Sequence, residues 1–251
     1  MHRYALRDDQ WDKIKDFLPG REGHVGGTAA DNRLFVDAVI YRYRTGIPWR
    51  DLPERYGHWK AVHRRYRRWC ETGVFMRVFE IMSRDADNEF VMLDATIVRA
   101  HQHSAGAQKK DGEDQAIGRS RGGLTTKIHA AVDALGNPVA LSLTAGQVHD
   151  VTQAEPLLED LAPDAVIADK GYDSDAFVES LEARDITPVI PPKANRIEIR
   201  DCDFALYCER NLVERFFNKI KHYRAIATRF DKLANTFLAG VLLVCVILWL
   251  N

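Results

Sequence analysis

Two aspartates stand against short apolar runs: Asp94 interrupts the β-rich run Phe90–Val98 and closes its buried part, and Asp169 ends another. Asp94 follows Phe90-Val-Met-Leu, and Asp169 follows Ala165-Val-Ile-Ala. Both runs read as buried strands, where a charge is costly unless a partner or a metal compensates it. The carboxyl ends of strands in open α/β sheets are also where sites are built. A single aspartate that merely caps the next turn looks the same, but two at two strand ends point to a shared site. A third acid comes from helical spacing. Tyr207, Arg210, Glu214 and Lys221 lie at offsets 0, 3, 7 and 14. At about 100° per residue they fall within an arc of roughly 60°, while Leu212, Val213 and Phe216 face another sector. This stripe is either a solvated face of i,i+4 pairs or a means of bringing Glu214 to the two aspartates. Three gathered carboxylates repel one another, so such a cluster calls for cations. Hard oxygen donors suit Mg2+ or Mn2+ and suit zinc poorly.

Other groups carry weaker cases. His101-Gln-His103 hints at zinc but lacks a third ligand at a recognised spacing. His149-Asp150 follows a hairpin strand, in a structural or supporting role. Lys127 and His129 are taken to alternate along their strand, so that at most one of them faces a site. Cys70, Cys202, Cys208 and Cys245 contain no CxxC pair, which argues against a disulfide framework or a structural zinc.

The elements that must position these groups follow from the chain texture. Beyond Arg84 the order is a strand through Asp94, a polar Gly-rich loop over 101–123, and a hairpin of strands 124–132 and 138–144. Then come a helix (152–161), a strand (165–168), a helix (174–184), a strand (187–190) and helical sequence from Phe204 to the end. That order gives an α/β domain with a mixed sheet. The 14 apolar or small residues Phe237–Leu250 fall short of the roughly 20 that span a membrane. They are expected to form a helix buried against the sheet.

Before Arg84 the chain reads as all-helical. An amphipathic helix covers 6–19, and a Gly-rich link (Gly20, Gly23, Gly26, Gly27) follows. Asp31 caps a helix that ends near Gly46. Pro48 opens a short helix over 49–56, stopped at Gly57, and a basic helix runs from His58 to about Glu71. Its Lys60, Arg64, Arg65, Arg67 and Arg68 put five cations in nine positions, backed by Trp59, Val62, Tyr66 and Trp69. This is the pattern of a helix-turn-helix DNA reader, with a plain three-helix bundle bearing an Arg-rich surface as the alternative.

Net charge is −1 over 251 residues, which taken alone argues against a nucleic-acid partner. The distribution argues otherwise. Residues 42–77 carry ten basic and three acidic side chains, 148–190 two and eleven, and 209–232 seven and three. Basic blocks flank an acidic one that contains Asp169. The charged N-terminus shows no secretory signal, so a cytoplasmic location is expected, at the nucleoid when DNA is bound.

At this point the residues resemble a family. Tyr207-x2-Arg210-x3-Glu214-x6-Lys221 is similar to the C-terminal motif of bacterial insertion-sequence DDE transposases, most closely the IS5 family. The likeness extends to the Asp94-Ala-Thr context, to 118–127, to 168–173 and to Gly46-Ile-Pro-Trp-Arg-Asp-Leu-Pro53, essentially the whole chain. It implies an RNase H-like catalytic domain over 85–251 preceded by a helix-turn-helix domain over 1–84. It implies that Asp94, Asp169 and Glu214 are the metal-binding catalytic triad for two Mg2+ ions, with Mn2+ as a substitute. Strand cleavage would expose a 3′-OH that attacks target DNA. Tyr207, Arg210 and Lys221 would contact DNA near the active site, and Lys60, Arg64, Arg67 and Arg68 would contact it through the basic helix. The partners implied are double-stranded element ends and target DNA, a homodimer or larger homo-oligomer, and no membrane. The 44 residues between Asp169 and Glu214 leave little room for the large β-insertion of some relatives. Two rival readings remain: a cellular nuclease or resolvase on a similar fold, and a DNA-binding regulator whose α/β part only dimerises. The regulator has no use for three co-located acids.

Overall fold

The computed structural model describes residues 4–20, 31–106, 114–196 and 199–251. The expected Gly-rich link beyond Gly20, and residues 107–113 of the expected loop, lie outside the described residues. In chain order the elements are α1 (Asp8–Ile14), α2 (Asn32–Thr45), α3 (Trp59–Glu71), α4 (Val74–Met82), β1 (Phe90–Ala100), β2 (Gly118–Ser120), β3 (Gly123–Val132), β4 (Pro138–Ala145), α5 (Ala154–Leu158), β5 (Ala165–Ala168), α6 (Asp175–Glu182), β6 (Thr187–Val189), α7 (Phe204–Tyr207), α8 (Asn211–Lys221), α9 (Arg224–Ala227), β7 (Thr228–Arg229) and α10 (Ala234–Trp249). The chain divides into two compact units. One, mostly helical, gathers the described parts of 1–84, 101–111 and 220–251. The other holds the sheet, in the described parts of 85–100 and 112–219.

In the helical unit, Asp31 Oδ1 accepts from the Leu34 amide at 2.8 Å and starts α2. Gly46 ends it in the left-handed region, φ 73°. A Cβ there would stand 2.8 Å from Arg224 Cβ, so the turn needs glycine for conformation and for space. The expected short helix over 49–56 is instead two 3-10 turns, Trp49–Asp51 and Glu54–Tyr56. Pro53 is the reason: it cannot donate an amide to a continuing helix, and it holds Leu52 extended (φ −62°, ψ 126°). His58 caps α3, which buries Val62, Tyr66 and Trp69. Helix α4 was not foreseen. Gly73, at φ 67°, turns the chain between α3 and α4.

The end of the chain differs from expectation in two ways. It is not one helical run, because a 3-10 turn (Cys208–Arg210) separates α7 from α8 and Thr228–Arg229 is extended ahead of α10. Helix α10 is buried, yet within its unit it packs on α4, α3 and α2 rather than on a sheet. It is apolar on every side, so its sequence carries no direction. No described helix is long and apolar enough to cross a membrane.

The second unit is built on a mixed sheet in the order β2-β3-β1-β5-β6, with β4 also on β3. Strand β1 is antiparallel to β3 and parallel to β5, and β5 is parallel to β6. Buried Asp133 fixes the β3–β4 turn by accepting from the amides of Leu135 (3.0 Å) and Asn137 (2.7 Å). Strand β2 falls in a stretch expected to be loop. Asp94 does not close its strand, since β1 continues to Ala100 against β3. What ends at Asp94 is the pairing with β5, whose last register pair is Leu93 with Ala168.

Candidate active site

The β1/β5 register builds the site. The last register pair is Leu93 with Ala168; Asp94 follows on β1 and Asp169 follows the end of β5, near enough to act electrostatically on the Asp94 carboxyl. Asp169 leads into a 3-10 turn (Lys170–Tyr172), and its Oδ1 accepts the Gly171 amide at 2.7 Å. A Cβ on Gly171 would stand 2.8 Å from that oxygen, so glycine lets the amide come close enough to aim the carboxylate.

Asp94 accepts from its neighbour's amide, Ala95, at 2.8 Å. Burial pushes its carboxyl up to about 6, with Asp169 and Asp150 adding to the rise, while the Ala95 amide and Arg210 oppose it. Burial wins because little of the side chain reaches solvent. Arg210 ties the third acid in: its guanidinium reaches Asp94 Oδ2 at 3.2 Å and Glu214 Oε1 at 2.5 Å. Two of the three predicted acids thus share one cation, and the third follows the end of the adjoining strand. The predicted arc of four side chains is interrupted by the turn at Cys208–Arg210, yet Arg210 and Glu214 still meet one helical turn apart. Tyr207, partly buried, has its phenol pushed up by burial and lies within electrostatic reach of Arg210, Asp169 and Asp94. Lys221 is the last residue of α8, and partial burial pushes its amine down.

The donors suit a divalent cation: three carboxylates, one of them raised by burial and so in need of positive charge. As they stand they do not converge on one ion. Among the described residues no three His, Cys, Asp or Glu side chains are grouped closely enough to hold a metal. Arg210 takes the place between Asp94 and Glu214.

A second cluster lies close by. Lys127 Nζ reaches Asp150 Oδ1 at 2.8 Å, and fully buried His129 approaches the same oxygen at 3.7 Å. The expectation that at most one of the two faces a site is therefore corrected, because residues two apart on a strand share a face. His129 Nε2 is 2.7 Å from Thr144 Oγ1, and burial pushes its imidazole down to about 4. Tyr172 was missed altogether. It is buried, its hydroxyl has no hydrogen-bond partner among the described residues, and burial together with Asp150, Asp94 and Asp169 pushes its phenol up. Its place three residues after Asp169 was the available sign. His101 and His103 pack edge-on, with ring centroids 4.7 Å apart.

On α3, Lys60, Arg64 and Arg68 are exposed and Arg67 is half-exposed, paired with Glu71 at 2.8 Å. Arg65 lies over the rings of Phe35 and Trp69.

With strands, acids and basic helix in view, the class is a polynucleotidyl-transfer fold fronted by a basic helical segment, and comparison with known proteins gives the family. The Transposase DDE domain family matches residues 85–249, and the family described as "Putative transposase of IS4/5 family" matches residues 6–79. The chain belongs to the DDE transposases. A protein of Sinorhizobium fredii named y4sN is 51% identical over 108 residues, covering 43% of this chain and 86% of that one. A protein of Brucella ovis, described as "Putative transposase for insertion sequence element IS6501", is 42% identical over 133 residues, covering 51% of this chain and all of that one. Among solved structures, the piggyBac transposase synaptic complex with hairpin DNA is similar at a TM-score of 0.44 and 13% identity. That match covers 78% of this chain and about half of that one (51%).

Proposed function

We propose that this DDE transposase binds the terminal inverted repeats of its insertion sequence and cuts and rejoins DNA strands there, with Asp94, Asp169 and Glu214 as its catalytic acids. The observation that supports the reading is that the β1/β5 register ends at Leu93 and Ala168, immediately before Asp94 and Asp169, with Glu214 linked to Asp94 through Arg210. The three acids would hold Mg2+, two ions in the full reaction, with Mn2+ able to replace it. Bound there, the metal supplies activation of a water or 3′-OH and stabilisation of the departing oxygen.

The chain's own residues do the rest. The Gly171 amide keeps the Asp169 carboxylate aimed. Arg210 neutralises Asp94 and Glu214 until a DNA phosphate draws its guanidinium away, a geometry its fork suits. Lys221 adds charge for the same strand, and Tyr207 stacks on or orients it. Lys60, Arg64, Arg67 and Arg68 follow the phosphates of the element end from α3. In this reading residues 1–84 are the DNA-reading domain and 85–251 the catalytic domain. Pairing two element ends takes at least two copies of the chain, acting at the nucleoid in the cytoplasm.

The test is Asp169→Asn. Divalent-metal-dependent cleavage of the element end should fall about a thousandfold or more while end binding is retained. Cleavage at the original rate removes Asp169 from the triad.

A further inference from the structure

The helical unit contains a cavity of about 520 Å3 beside α3, within the roughly 300–1,000 Å3 of small-ligand sites. Two rings wall it. Trp49 packs against His63 and Tyr66 at 5.2 and 5.3 Å between ring centroids. Phe230, 41% exposed, stacks one face on His101 at 4.7 Å. Arg67 and Lys232 supply cations to the lining, and Arg42 and Asp231 lie within it. Asp231 holds Arg42 through both terminal nitrogens, at 3.1 and 3.4 Å. Arg42 Nε is buried and has no hydrogen-bond partner among the described residues.

We propose that this cavity receives an unpaired nucleobase of bound DNA. The proposal rests on the DNA partner read above and adds to it a base pocket beside the phosphate contacts of the basic helix. Flat apolar walls match the face of a base, and ring stacking accepts any base. A buried N–H without an acceptor is costly, and every base carries acceptors along its edge. Asp231 sets the orientation. An anion inside would face its carboxylate, so the phosphates stay with Arg67 and Lys232 while the neutral ring goes inward. A base within a duplex is stacked on both faces and cannot enter, so the occupant must be unpaired.

The experiment uses the full chain and three duplexes: one fully paired, one with a single unpaired 2-aminopurine nucleotide, and one with an abasic residue at that position. The unpaired base should bind about tenfold tighter than the other two, and its fluorescence should be quenched by stacking. Phe230→Ala should bring that preference to within about twofold without moving the thermal midpoint, and Phe230→Trp should keep it. Equal binding of base and abasic duplexes overturns the proposal, as does a preference that survives Phe230→Ala. Displacement of the unpaired-base duplex by free dAMP at matching affinity also overturns it, since the site would then serve a free nucleotide. If the pocket alone is wrong, all three duplexes bind alike. If no duplex binds, the DNA reading itself fails.

Discussion

The two compact units handle charge in opposite ways. In the helical unit, buried charge is paired from within. Arg42 and Asp231 form an ion pair with only 5% of each side chain exposed, joined by the hydroxyl of Tyr43. Arg44, Arg55 and Arg65 lie over tyrosine, phenylalanine or tryptophan rings. In the sheet unit, Asp94 and Asp169 follow the last β1/β5 register pair, and one arginine is shared between Asp94 and Glu214. Burial, with Asp169 and Asp150 nearby, pushes the Asp94 carboxyl up to about 6. Three acids against one arginine leave an excess of one sign, the kind of imbalance a cation from outside would offset.

The sharpest way to break the contrast is to remove one half of the internal pair. Arg42→Ala leaves Asp231 buried without its cation and should cost about 3–5 kcal/mol of stability, read as a lower urea midpoint. The double change Arg42→Met with Asp231→Leu should restore most of it, because no charge is then left buried. If Arg42→Ala unfolds at the wild-type midpoint, the helical unit does not depend on internal compensation.

The sheet unit offers a pH counterpart in His129. Its imidazole is held near 4 against about 6.5 in the unfolded chain. Between those values the unfolded state takes up a proton that the folded state does not. The stability is therefore fully present above 6.5 and is lost as pH falls towards 4. The loss is on the order of 3 kcal/mol across the window. His129→Gln keeps an amide for Thr144 and should remove this part of the acid sensitivity. Matching urea midpoints for variant and wild type at pH 7 and at pH 4.5 would show that His129 carries none of it.

Much of this is legible in the sequence, and what is not has physical causes. Asp94 and Asp169 announce themselves because a carboxylate interrupting or ending an apolar run is a local pattern. Asp31 and Gly46 announce the ends of α2 in the same way. The packing of α10 could not be read, since a helix apolar all round fits helices or a sheet equally well. Asp150, Lys127, His129 and Tyr172 meet only through the β3–β4 hairpin and the turn after β5, so their grouping depends on tertiary register. The arc from Tyr207 to Lys221 assumed an unbroken helix, and the turn at Cys208–Arg210 bent that assumption while sparing its central pair.

The smallest effect separates packing from recognition within one helix. Arg65 lies 4.3 Å above the Phe35 ring and 4.9 Å from that of Trp69, whereas Arg64 and Arg68 are exposed. An arginine spent on rings stabilises the fold, and one left to solvent is available to phosphate. Arg65→Ala should therefore lower stability by about 0.5–1 kcal/mol and leave the salt dependence of DNA binding alone. Arg64→Ala with Arg68→Ala should do the reverse, holding the urea midpoint while the slope of log affinity against log salt falls by about 2. If both variants moved both quantities together, α3 would be a basic surface without a division of labour, and the contrast between the units would not extend to single side chains.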